Sequence, residues 1–192
     1  MASVGTMDPV DLATIRMSGS TYVELPTFLA LKRCIVNVKN NDDRCFGYSV
    51  LSAINPVDRS NNPNQPYHYN HQFKWRGLDQ IQYPVDISDI PEIEKKLQVS
   101  FNIISHSRYR MHISKNYFPI HIDLLYWWGH YAWIKHFSRF MSDITAHKRK
   151  KFFCHKCLNH FGKDLIMDDH KLLYHTWKQL CPVVAEEHMP NP

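Results

Sequence analysis

Ile120-His-Ile-Asp-Leu-Leu-Tyr-Trp-Trp-Gly-His-Tyr-Ala-Trp-Ile-Lys-His-Phe137 is the stretch that decides the fold. Two runs rich in aromatic and aliphatic residues flank Gly129 and His130, and such residues favour a pleated, half-buried surface. Neither run approaches the roughly 18 apolar residues that a membrane helix needs. The stretch therefore reads as a buried hairpin: a strand over Ile120–Trp127, a turn at Gly129 and a returning strand over Tyr131–Phe137. Working back from it, Val99–Ser105 and Tyr109–Ser114 read as two further strands. Ser88-Asp-Ile-Pro91 opens a helix to about Leu97, with Ser88 or Asp89 as its cap and Glu92 and Glu94 in its first turn. Cys45–Ile54 has helical spacing, with Phe46, Val50 and Ile54 on one side. Thr27–Arg33 reads as a short helix, Cys34–Val38 as a strand, and Tyr67–Leu78 as an amphipathic helix ending near Gly77. Helices first and an antiparallel sheet after them predict an α+β domain.

The chain has 192 residues, 44% of them hydrophobic, with 10 Phe, 10 Tyr and 5 Trp. That is enough for one core plus a small satellite module. No apolar run is long enough to span a membrane, and no secretory signal is visible, so no membrane partner is expected. The five cysteines are Cys34, Cys45, Cys154, Cys157 and Cys181. An odd number with a zinc-type spacing argues for a reducing, intracellular compartment, nucleus or cytoplasm. Net charge is +5, and much of the excess sits in His147-Lys148-Arg149-Lys150-Lys151. Such a run suits phosphate backbones or an import receptor, or else a solvated linker.

Phe152-x-Cys154-x2-Cys157-x3-Phe161-x5-Met167-x2-His170-x4-His175 carries the ligands and apolar anchors of a Cys2His2 zinc finger. Two thiolates on a tight turn and two imidazoles on successive helical turns can close a tetrahedron around Zn2+. Cys181 is an alternative to His175 as fourth ligand. Phe152, Phe161 and Met167 are the expected core of a ββα module that depends on its single structural zinc. The base-reading positions fall on Lys163, Ile166 and Asp169. Ile166 offers a base edge no hydrogen bond and Asp169 is repelled by phosphate, so sequence-specific DNA reading is a poor fit. The aromatics Trp127, Trp128, Tyr131 and Trp133 suggest a base-stacking platform as a minor alternative to core packing.

Cys45 stands at the start of its helix, where unpaired backbone N–H groups and the helix dipole stabilise an anion. His130 stands at the hairpin turn, and Asp42 lies three residues before Cys45. Thiol, imidazole and orienting carboxylate are the parts for acyl transfer through a thioester. Backbone N–H groups near Arg44 and Cys45 are the expected oxyanion donors, with Asn40 or Asn41 adding a side-chain donor.

Asp42-Asp43-Arg44-Cys45-Phe46, together with His130-Tyr131 after the strand His121–Leu125, resembles the motifs of OTU-type cysteine proteases. By that resemblance Cys45 is nucleophile, His130 base and Asp42 orienting acid, and the substrates are ubiquitin-like conjugates. Asp43 stands where those enzymes usually carry Gly. A longer resemblance covers Leu25 to Cys181, through Ile35–Asn40, Tyr83–Ile87, His130-Tyr-x-Trp-Ile-Lys135 and Phe153-Cys154-x2-Cys157-Leu158. These segments look like the region ahead of the protein-primed B-family DNA polymerase in Maverick/Polinton elements and adinto-like viruses, where a papain-like segment precedes one zinc finger. The chain carries no polymerase motif. The expected organisation is a flexible segment over 1–20, a papain-like α+β domain over 21–146, a basic linker and finger over 147–180, and a tail over 181–192. The expected function is a mobile-element or virus-derived OTU-like cysteine hydrolase. The rival is a catalytically inactive zinc-finger module that binds protein or DNA.

Overall fold

The computed structural model describes residues 22–142, 151–163, 166–170 and 172. The expected N-terminal segment, the tail, His175, Cys181, Lys148, Arg149 and Lys150 lie outside the described residues, whereas Lys151 lies within them.

The chain is α+β. A short helix, α1 (Thr27–Ala30), leads to strand β1 (Ile35–Val36) and to helix α2 (Cys45–Ile54). Helix α3 (Ile90–Leu97) precedes four strands, β2 (Val99–Ser105), β3 (Arg110–Ile113), β4 (Ile120–Trp127) and β5 (His130–Ile134), and then helix α4 (Phe137–Phe140). The five strands form one sheet in the order β1-β5-β4-β2-β3. A separate two-stranded ribbon pairs β6 (Phe152–Phe153) with β7 (His160–Phe161).

The sheet is mixed rather than antiparallel as expected, because β2 and β4 run parallel from Val99↔Ile120 to Ser105↔Tyr126. β3 finishes beside the start of β2, and the segment after it crosses that same end to enter β4 beside Val99. Ser100 pins this crossing: its hydroxyl donates to Asn116 O at 2.9 Å and accepts from Phe118 N–H at 3.1 Å. The hairpin between β4 and β5 turns where expected. Trp128 (φ 50°) and Gly129 (φ 77°) both take positive φ, as a two-residue turn matching the sheet's twist requires.

Alternation along the strands sorts side chains into two cores. Phe101, Ile103, Ile122, Leu124 and Tyr131 face α2 and α3. Ile104, Leu125, Ala132 and Ile134 face α1, α4 and Phe153 of the ribbon. Helix α2 is buried along Cys45–Ser52, so its polar side chains need internal partners. Ser49 donates to Tyr131 O at 2.9 Å and Ser52 to Ser49 O at 2.9 Å. Gly47 is required by close approach, since a Cβ there would stand 2.6 Å from Phe73 Cε1 and 2.6 Å from Tyr83 Oη.

Two local expectations fail. Tyr67–Leu78 is a run of 3-10 turns rather than a helix, broken by positive φ at Arg76 and Gly77. Arg76 reaches across to donate to Leu97 O at 2.5 Å, tying this irregular segment to the end of α3. Asp89 is the N-cap residue of α3, one of the two expected positions, though its side chain makes no cap bond there; it instead closes a reciprocal capping box with Asp86 on the preceding 3-10 turn, Ile87–Asp89. Trp127, Trp128, Tyr131 and Trp133 share no single face either: Tyr131 is core on the α2 side, Trp127 packs on the opposite core, and Trp128 is exposed at the turn.

Candidate functional site

The sequence-predicted thiol is the first residue of α2. An N-terminal helical turn has no intrahelical acceptors for its N–H groups, so this end of α2 is electropositive. The site is closed: Cys45 is 3% exposed and His130 1% exposed. The two elements that begin with these residues pack together through the residues that follow each of them. The Phe46 and Tyr131 rings meet edge to face at 5.3 Å.

His130 Nε2 lies 2.6 Å from Asn37 Oδ1. An amide oxygen only accepts, so Nε2 carries the hydrogen. Asn37 is fixed in that orientation because its Nδ2 donates to Val23 O at 2.9 Å. Burial lowers the His130 pKa to about 4, so at neutral pH the ring is uncharged and Nδ1 carries no proton. Nε2 is therefore hydrogen-bonded to Asn37, whereas the sequence reading expected Asp42 to orient this ring. Asp42 works within its own loop: Oδ1 accepts from Arg44 N–H at 3.1 Å and from Asn40 Nδ2 at 3.2 Å. Asn37 follows β1, whose register with β5 (Ile35↔Ile134, Val36↔Trp133) brings it diagonally beside the start of β5. The only sequence signal for it was a polar residue between Val36 and Val38.

The expected oxyanion donors are spread apart. Asn40 Nδ2 is turned to Asp42, its carbonyl 2.6 Å away. Asn41 is exposed, and the Arg44 guanidinium lies over Phe73 at 5.4 Å and Tyr83 at 6.0 Å. The backbone at the start of α2 is the remaining expected source of donors. The strap 22–25 lies over this region: Tyr22 N–H donates to Asn40 O at 3.1 Å, and its ring meets His130 edge-on at 6.3 Å.

Cys154, Cys157 and His170 offer three ligand atoms within 4.8 Å of one another. The Lys156 and Cys157 N–H groups hydrogen-bond the Cys154 sulfur, and the Asn159 N–H bonds the Cys157 sulfur. A hydrogen bond from Cys157 lowers the Cys154 pKa, and the same bond raises that of Cys157. The Cys154 sulfur is the one these contacts favour as a thiolate, the form that binds metal. His170 Nε2 lies 3.2 Å from Cys157 Sγ, its ring tilted against Phe161 at 4.8 Å. These residues could hold a metal ion. Phe152, Phe161 and Met167 are all half-buried, while Phe153 is buried in the second core of the sheet. The ribbon is thereby anchored to the α+β unit.

His155, at the tip of that turn, makes a second cluster that the sequence reading missed. Its Nδ1 lies 2.6 Å from Asp123 Oδ2, while His121 Nε2 lies 3.2 Å from Asp123 Oδ1. Burial pushes the Asp123 carboxyl up, but hydrogen bonds from His121 and His155 overcome it and hold the group well below the usual carboxylate range. The available signal was His121-x-Asp123, a spacing that puts both side chains on one face of a strand.

Among the described residues no helix is long and apolar enough to cross a membrane. No known protein family, no curated protein and no solved structure matches this chain.

Proposed function

We propose that the chain is a zinc-stabilised thiol hydrolase of papain-like, OTU-like type, derived from a mobile element or virus. The observation that carries this reading is the 2.6 Å bond from His130 Nε2 to Asn37 Oδ1. It leaves Nδ1 of a neutral imidazole without a proton, in the form that can act as a base. In this reading His130 Nδ1 takes the Cys45 proton as sulfur attacks a carbonyl, and Asn37 holds the ring. Backbone N–H groups at the start of α2 receive the oxyanion. The substrate class suggested by the sequence resemblance is a protein or ubiquitin-like conjugate. Cys154, Cys157 and His170, with His175 or Cys181, hold a structural zinc.

A second reading is a catalytically silent binding module. The observation favouring it is that Tyr131 and Trp133 face the α2 side of the sheet. His130, by alternation, shares a face with Ala132 and Ile134. Asn37–His130 is then a part-buried structural pair. A cavity of about 490 Å³ lined by Arg33, Arg59, Lys135 and Arg139 supplies a cationic surface for an acidic or phosphate-bearing partner, DNA included.

Intact-mass analysis after exposure to a ubiquitin-based electrophile separates the readings. An adduct that Cys45→Ala and His130→Ala both abolish supports the hydrolase. No adduct, with Cys45 also inert to iodoacetamide in the folded protein, retires it in favour of the binding module.

A further inference from the structure

We propose that His121, Asp123 and His155 form a second zinc site, separate from the Cys154, Cys157 and His170 set, with its fourth coordination position facing a cavity beside the sheet.

Three ligand atoms, one from each residue, lie within 4.8 Å of one another. Two of them come from one strand: His121 and Asp123 occupy alternate positions of β4 and so share a face. The third comes from a different part of the fold. His155 sits between Cys154 and Cys157, and its ring is backed by Phe137 at 4.5 Å. Two imidazoles and one carboxylate are a donor set that zinc takes when it keeps an open position for water. The cluster borders a cavity of about 480 Å³ whose other walls include Ser100, Tyr117 and Phe118.

Asn102 supports the same arrangement. Its Nδ2 donates to Asp123 Oδ1 at 2.9 Å and to His155 O at 2.6 Å, so one amide holds two members of the cluster in place. Asp123 is 6% exposed. Such supporting bonds to a ligating carboxylate are what fix a metal site's geometry. Lys156 is directed elsewhere, its Nζ lying 2.9 Å from Ser114 O and 2.8 Å from Asn116 O.

The two sites are linked through one turn. Metal on Cys154 and Cys157 fixes the backbone that presents His155, so the second site binds more weakly when the first is broken.

The test is titration of the full chain with zinc alone, read by native mass spectrometry, with cobalt substitution to identify ligands by absorption. The expected result is two metals in the wild type, only one of which carries thiolate-to-cobalt charge-transfer absorption. His121→Ala is the main variant, because His121 is half-buried and its loss spares the core. It should keep the thiolate band and lose the second metal, weakening it by more than the ~10–100-fold typical of outer-shell changes. Asp123→Asn should do the same. One metal in the wild type carrying the thiolate band overturns the proposal, as do two metals held equally by both variants. One metal without that band, lost in His121→Ala, upholds this site and sinks the Cys154–Cys157–His170 site instead.

Discussion

Replacing Asn37 by Asp tests the geometry around His130 most directly. The substitution keeps the shape and puts a carboxylate where Oδ1 now lies 2.6 Å from Nε2. With charge centres about 4 Å apart and an effective dielectric constant near 20, the attraction to an imidazolium is about 4 kcal/mol. One pKa unit corresponds to about 1.36 kcal/mol, so the upper limit is a rise of about 3 units. Desolvation of the new carboxylate takes back part of this, leaving a rise of about 1–3 units. His130, lowered to about 4 by burial, should then titrate between about 5 and 7 in Asn37→Asp. The assay is a pH titration of the imidazole resonances by NMR, assigned by comparison with His130→Phe. A wild-type ring that titrates at the ordinary 6.5, or a titration that Asn37→Asp leaves unmoved, would refute the reasoning.

Other consequences follow from the same contacts. The depressed His130 pKa means that the unfolded chain binds this proton first, so stability should fall as pH drops from 6.5 towards 4. The loss reaches about 3 kcal/mol by linkage, and denaturant midpoints of wild type and His130→Phe should converge towards the acid end. Glu94 accepts from Phe101 N–H at 2.7 Å, Asn116 Nδ2 at 2.7 Å and His112 Nε2 at 3.3 Å. Glu94→Gln turns an amide donor towards these donors and should cost about 1–3 kcal/mol in urea unfolding. A cost below about 0.5 kcal/mol would mean the cluster rearranges freely. Gly47→Ala forces Phe73 and Tyr83 away from α2 and should destabilise by about 1–3 kcal/mol, read as a lowered thermal midpoint. With zinc held as proposed, its removal by chelation should speed amide exchange at Phe153 and in the 154–159 turn while leaving α2 protected. Uniform loss of protection would show that the metal holds the whole fold.

The thiol position, the strand set and the candidate zinc ligands were legible in different degrees, for reasons that particular residues show. Cys45–Ile54, Val99–Ser105 and Ile120–Trp127 were read to the residue, because each is a strong local pattern with clear turn chemistry at its ends. Tyr67–Leu78 was misread because its apolar spacing is served by successive tight turns around Arg76 and Gly77, which a periodicity argument cannot distinguish from a helix. Asn37 was overlooked because a sequence-near carboxylate, Asp42, offered a simpler partner. Chain proximity placed Asp42 in its own loop with Arg44 and Asn40, while strand register carried Asn37 to His130.

The sequence by itself determined the local elements other than Tyr67–Leu78, the α+β class and the Cys-x2-Cys…His spacing, since these depend on neighbours within a few positions along the chain. Only the tertiary structure decided that β4 lies parallel to β2, that Asn37 rather than Asp42 meets His130, and that His155 closes on His121 and Asp123. Each of these is a contact between segments far apart in sequence, set by which strand edges pair and how two faces of a sheet are covered. Neither propensity nor spacing encodes that choice one segment at a time.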